Sequence, residues 1–292
     1  MPEFFVNALV AGTAIAVACG LTGYFLVLRA QVFTGDALSH VAFTGSMAAL
    51  ALGVDLRIGL FVATVAIALL MAALGRRGVA DDVVIGNIFA WILGLGAFFL
   101  TLYTTNRSTG DGSAGITVLF GSIFGISAGQ ALTAACVGIG LSLVMLVLAR
   151  PLLFATLDAA VAAARGVPVR VLGAVFLAVV GACTAEATQA VGAMLLLGLL
   201  AAPAGTALRL TGRPYRALAL SVLLALVDIW GGLGVSYVAP KLPPSFAILA
   251  VATLLYVVAL VGTQPRFRAS ARSDRRKLDL TTVRNTGMPI RR

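Results

Sequence analysis

Charge is scarce in this sequence, and histidine almost absent: 11% of the 292 residues are Asp, Glu, Lys or Arg, and His40 is the only histidine. Ordinary soluble domains carry about 25% charged residues, so a water-exposed globular surface is excluded. Three cysteines, Cys19, Cys136 and Cys183, all lie in apolar runs without C-x-x-C spacing, which argues against a disulfide framework or a thiolate zinc module and reads as small core residues. A G-x-x-x-x-G-K-[ST] stretch is missing, so the chain has no P-loop of its own and its energy must come from a partner or an ion gradient. One histidine rules out H-E-x-x-H chemistry, and no nucleophile–base pair is evident, so no catalytic residue is assigned. The net charge of +10 comes without a basic stripe interleaved with aromatics, so no nucleic-acid partner is indicated. Met1-Pro2-Glu3 lacks a basic leader region, and the apolar run 4–28 is too long for a cleavable signal; it is expected to stay as a first span.

What is present is apolar: 60% hydrophobic residues and a mean hydropathy of +1.05. Runs near 20 residues recur, and each is long enough to cross a hydrocarbon core of about 30 Å as a helix. The fold class read from them is all-α, a polytopic transmembrane bundle of about nine spans at 4–28, 36–52, 57–75, 82–103, 129–149, 169–185, 189–208, 217–238 and 245–263. A shorter piece, 116–127, reads as re-entrant or interfacial. Small residues at helical spacing, Gly12/Ala16/Gly20 and Gly86/Ala90/Gly94, are expected to let neighbouring helices approach closely.

The positive charges divide unevenly over the loops. Arg29, Arg76, Arg77, Arg150, Arg165, Arg170, Arg209, Arg213, Arg216 and nine tail residues fall on one side, against Arg57, Arg107 and Lys241 on the other. Cytoplasmic loops carry the excess of Lys and Arg, so the C-terminus is expected in the cytoplasm and, with nine spans, the N-terminus outside. The domains follow: a transmembrane domain over 1–263, and a basic, polar tail over 264–292 too poor in apolar residues to bury a core.

Ionisable residues inside spans are functional candidates, because each is costly there. Asp36 and His40 stand at i and i+4, on one helical face a turn apart. Carboxylate plus imidazole suits a first-row divalent ion, although the same spacing also serves a helix cap or a structural pair, and two ligands do not complete a site. Ser39 lies between them. Asp228 sits in the middle of a span without an evident partner, and reads either as a pathway residue or as a carboxyl satisfied by neighbouring helices. Glu186, at an outer connection, has a cation-attracting and a merely solvent-exposed reading. Asn87 is expected to hydrogen-bond between helices. The connection 150–170 contains a helix-forming stretch from Leu157 and Asp158 to Arg165, closed by Gly166 and Pro168. It suits a docking element for a cytoplasmic motor, or an ordinary interfacial helix.

Four segments carry a resemblance: GDALSHVAFTG at 35–45, VLFGSIFGIS at 118–127, LDAAVAAARGVPV at 157–169 and AVGAMLLLGLLAAPAGTA at 190–207, with LPPSFAILAVATLLY at 242–256 as a fifth. In this order they resemble the permease subunits of ABC importers for zinc, manganese and iron. The resemblance implies a multi-pass protein of the bacterial inner membrane and a second permease subunit, identical or not. It also implies a separate cytoplasmic ATP-binding subunit that hydrolyses ATP, and an extracytoplasmic metal-binding protein. No cofactor is permanently bound; the divalent metal is cargo. Asp36 and His40 match the family's metal-coordinating positions, and 157–168 its coupling helix. The ion would pass from an outward site near Asp36 and His40 to the cytoplasm. The sequence departs from the family pattern at Ala159-Ala160 and at Asp228, where a small or apolar residue is commoner. A permease for a metal chelate or siderophore and a gradient-driven secondary transporter are the rival readings.

Overall fold

A computed structural model describes residues 2–75, 82–106 and 113–263. The basic tail and the charges Arg76, Arg77 and Arg107 lie outside the described residues. The described residues form helices: α1 (Glu3–Leu28), α2 (Val32–Leu52), α3 (Leu56–Leu74), α4 (Asp82–Asn106), α5 (Ser113–Phe120), α6 (Ala128–Leu157), α7 (Ala159–Ala164), α8 (Val169–Val191), α9 (Leu196–Leu210), α10 (Pro214–Val238) and α11 (Pro244–Thr263). A 3-10 turn, Ile123–Gly125, separates α5 from α6.

Seven of these, α1, α3, α4, α6, α8, α10 and α11, are long and apolar enough to cross a membrane. The other two expected spans fall short for different reasons. α2 has 21 residues but spends Asp36, Ser39, His40, Thr44 and Ser46 along its length. α9 has 15 residues, about 22 Å of helix against a core of about 30 Å.

The missing length of α9 is explained at its start. The expected span 189–208 is cut in two: α8 continues through Val191, and the chain breaks at Gly192 with φ 92° and ψ 154°, a conformation open essentially to glycine. Irregular backbone inside a bilayer survives only if its polar groups are paired. Here they are: the Ala193 and Met194 amides donate to the carbonyls of Val118 and Leu119 at 3.1 Å each, and Ser245 Oγ donates to the Phe120 carbonyl at 2.6 Å. The second partner in this junction is Gly121, with φ 74°. The segment 116–127, expected to be re-entrant or interfacial, holds the end of α5 and the 3-10 turn, and it packs over the broken backbone between α8 and α9. The Ile123 side chain reaches Gly12 on α1, while Phe124 meets Phe4 at the start of that helix, so the junction sits against the first turns of α1.

α1 is the central helix, packed against α6, α10, α9 and α8, while α2 packs with α3 and α4, and α3 with α8. The stripe Gly12/Ala16/Gly20 works as expected: a methyl group at Gly20 would stand 2.7 Å from the Val222 backbone, and Ser221 donates to the Gly20 carbonyl at 2.7 Å. The second stripe does not. Gly86 and Gly94 have no neighbouring atom within 4 Å of an added Cβ among the described residues, so neither serves a close helix approach. Asn87 differs too: its amide donates to the Val83 carbonyl at 2.9 Å, one turn back in the same helix, rather than across to another.

The expected loop 150–170 is mostly helix. α6 runs through Pro151 to Leu157, 30 residues in all, so it extends about 45 Å and projects beyond a bilayer core. It stops where Asp158 turns its carboxylate onto the Ala160 and Val161 amides, 2.9 Å each, and so caps α7. Gly166, at φ 83°, ends α7 with the Gly166 amide on the Ala163 carbonyl and the Val167 amide on the Ala162 carbonyl, both 3.0 Å. This pairing closes a helix end through a left-handed glycine, and Pro168 prevents its continuation.

Candidate functional site: a carboxylate-lined cleft beside α2

Asp36 opens into a cleft of about 370 Å³ between α2 and α4, lined by Phe33, Asp36, Ala37, Asp82, Ile85, Gly86 and Phe89. His40 adjoins this cleft through Phe89, whose ring it meets edge-on at 5.1 Å and 74°. Asp36 lines this cleft and His40 stands beside it, and both residues are half-buried. The structure adds a residue that the sequence reading passed over: Asp82, in the first turn of α4, supplies a second carboxylate to the same cleft. The signal was available, since Asp81-Asp82 is an acidic pair in a chain with only 11 acidic residues. No cluster of three or more His, Cys, Asp or Glu side chains close enough to hold an ion occurs among the described residues. The cleft has donor atoms suited to a divalent ion, but they are dispersed.

The end of the bundle at which this cleft lies follows from the chain path. α1 starts beside the 3-10 turn, where Phe4 meets Phe124 at 5.6 Å, and ends where Arg29 stacks over Phe176, early in α8 and shortly after α7. α2 begins three residues later. Asp36 is therefore about 6 Å, and His40 about 12 Å, into α2 from the α7 end. The pair lies in the half of the bundle nearer α7, because α2 runs away from that end.

The other candidates lie apart from the cleft. Ser39 is fully buried and donates to the Asp36 carbonyl at 2.7 Å, so its hydroxyl is engaged within the helix. Glu186 is buried in α8, not solvent-exposed, within electrostatic reach of Arg57 at the opposite end of the bundle. Asp228 is 1% exposed on α10, which packs against α1 and α9 rather than α2, and both its carboxyl oxygens lack a hydrogen-bond partner among the described residues. A buried polar group without a partner costs about 1–3 kcal/mol. Asp228→Leu is therefore expected to raise the thermal unfolding midpoint of the purified protein in detergent; a lower midpoint would mean that a group outside the chain holds the carboxyl. Of the proposed docking residues, Leu157 is 72% exposed, and Asp158, Arg165, Gly166 and Pro168 are also exposed around α7.

A model of the ABC 3 transport family matches residues 1–263. The manganese transport system membrane protein MntC of Halalkalibacterium halodurans is 29% identical over 88% of this chain and 86% of that protein. The chelated iron transport system membrane protein YfeC of Yersinia pestis is 26% identical over 77% of this chain and 75% of that protein. In fold, the chain is similar to a chain of PsaBC from Streptococcus pneumoniae, solved in complex with Fab, with a TM-score of 0.76 at 23% identity, covering 89% of this chain and 91% of that one.

Proposed function

The chain belongs to the ABC 3 transport family, and from that premise we propose that it is the permease subunit of an ATP-driven importer for a divalent first-row metal ion: manganese, iron or zinc. The observation that carries this reading is the cleft shared by Asp36 and Asp82, with His40 beside it. Carboxylate oxygens and an imidazole match the ligand preferences of these ions. Dispersed ligands also suit a pathway, where an ion must be held and then released. A metal chelate would need a wide, mostly neutral cavity, and two carboxylates on a cleft of about 370 Å³ fit an ion better. Manganese in the name of MntC agrees with such cargo, whereas YfeC is named for chelated iron.

In this reading α2 and α9 complete nine crossings of the bacterial inner membrane, with the N-terminus outside and the C-terminus in the cytoplasm. The α7 end is then cytoplasmic, and the Asp36 cleft lies on the release side of the path. A separate ATP-binding subunit engages α7 and its neighbours Leu157, Asp158, Arg165, Gly166 and Pro168. An extracytoplasmic binding protein delivers the ion, and a second permease subunit supplies the facing half of the path. ATP-driven closure of the motor rocks the two halves between outward and inward states. The rigid caps of α7 at Asp158 and Gly166 make it a lever that passes this movement to α6 and α8.

Elemental analysis of whole cells tests the proposal. At limiting metal, a strain lacking the gene is expected to lose one divalent metal, to regain it with the wild-type gene, and to fail to regain it with Asp36→Asn at equal membrane expression. If no transition metal changes in the deletion strain, the cargo is of another class.

A further inference from the structure

Away from the cleft, two thiols meet inside the bundle. Cys19 on α1 and Cys183 on α8 are 0% and 2% exposed, and their sulfurs stand 3.7 Å apart. A contact between thiols is one of weak donor with weak acceptor, and it leaves unused polarity around it. Thr22, one turn beyond Cys19 on the same face of α1, and Thr184, next to Cys183, are both 0% exposed, and neither hydroxyl has a hydrogen-bond partner among the described residues. We propose that Cys19 and Cys183 form an internal binding site for a thiophilic divalent cation of the zinc or cadmium type, which clamps α1 to α8 when filled.

Three arguments converge. The first is distance: with zinc–sulfur bonds of about 2.3 Å and a tetrahedral angle, two thiolate sulfurs on one ion stand about 3.8 Å apart, so the pair already has the required spacing. The second is charge. A free divalent ion cannot rest in a low-dielectric bundle, but binding follows M²⁺ + 2 RSH → M(SR)₂ + 2 H⁺, with both protons leaving to water, and the filled site is neutral. The third is ligand softness: thiolates select zinc-type ions, whereas carboxylate and carbonyl oxygens suit manganese. Thr22 and Thr184 add buried neutral hydroxyls near the pair in sequence, both without a hydrogen-bond partner among the described residues. With two strong ligands, and no cluster of three or more His, Cys, Asp or Glu among the described residues, occupancy is reversible. The site therefore distinguishes soft from hard ions by a chemistry that the Asp36 cleft does not have, and it does not depend on which ion is cargo.

The test is cadmium binding by the full-length chain, purified with its partners in lipid nanodiscs. A Cys136→Ser background removes the exposed third thiol. Relative to that background, the additional substitutions Cys19→Ser and Cys183→Ser are each expected to remove one equivalent of cadmium per chain together with its thiolate charge-transfer absorption in the ultraviolet. Cadmium is also expected to raise the unfolding midpoint of the background protein and not of either serine variant, while manganese raises neither. Equal cadmium content in all three proteins, or cadmium held without thiolate absorption, overturns the proposal. Because neither readout is transport, failure here leaves the permease reading standing, and failure of the permease reading leaves this site testable.

Discussion

His40→Ala is expected to lower metal uptake at limiting concentration roughly 10–100-fold, the range seen when even an indirect support of a metal ligand is removed. Two causes must be separated, because the imidazole also packs edge-on against Phe89 at 5.1 Å. His40→Phe keeps an aromatic ring for that contact and removes both ring nitrogens. If the imidazole acts as a ligand, His40→Phe is made in normal amount yet transports no better than His40→Ala. If the ring only packs, His40→Phe transports like the wild type, and the pair with Asp36 ceases to be a metal site. Uptake of the radioactive ion at several concentrations gives a further sign: loss of a ligand raises the concentration needed for half-maximal uptake. Asp82 extends the same logic, since its carboxylate shares the cleft. Its loss weakens attraction of the ion while sparing the Asp36 and His40 spacing.

The parts of this architecture that were legible in the sequence are those that depend on local composition. The long apolar runs became α1, α3, α4, α6, α8, α10 and α11, and the i, i+4 spacing of Asp36 and His40 was enough to place them on one face. What stayed hidden depends on partners distant in sequence. Asp82 joins the cleft only because α4 packs on α2, a pairing that no spacing announces. The glycine stripe of α4 is indistinguishable in sequence from that of α1, yet one lies open and the other meets α10. The break at Gly192 interrupts a uniformly apolar stretch, so hydropathy reads through it, and the expected span 189–208 crosses the point where α8 ends. The end of the bundle at which Asp36 lies was implicit in the alternation of the spans. It rests on Arg29 over Phe176, a contact distant in sequence that joins the end of α1 to the α7 side.

The break also sets the largest expected effect on folding. Gly192→Val is expected to abolish the monodisperse, detergent-extracted protein, as followed by size-exclusion chromatography of a fluorescent fusion. Valine at φ 92° and ψ 154° occupies a region essentially reserved for glycine, a strain of about 1–3 kcal/mol. The side chain has nowhere to go: an added Cβ would stand 2.5 Å from the Gly121 amide nitrogen and the Leu119 carbonyl oxygen, both backbone atoms. Backing away from this clash would separate the two irregular strands and break the Ala193 to Val118 and Met194 to Leu119 hydrogen bonds. Each polar group then left unpaired at membrane depth costs several kcal/mol. Since whole domains are stable by only about 5–15 kcal/mol, these losses together exceed what the fold can absorb. Gly121→Val attacks the same contact from the other side, with an added Cβ 2.5 Å from the Ala190 carbonyl oxygen, and should fail in the same way. Gly140→Ala, on α6 with no atom within 4 Å of the new methyl group, should leave the elution profile unchanged. If Gly192→Val elutes like the wild type, the backbone pairing between α5 and the start of α9 is dispensable, and the short α9 must be stabilised by its packing on the neighbouring helices alone.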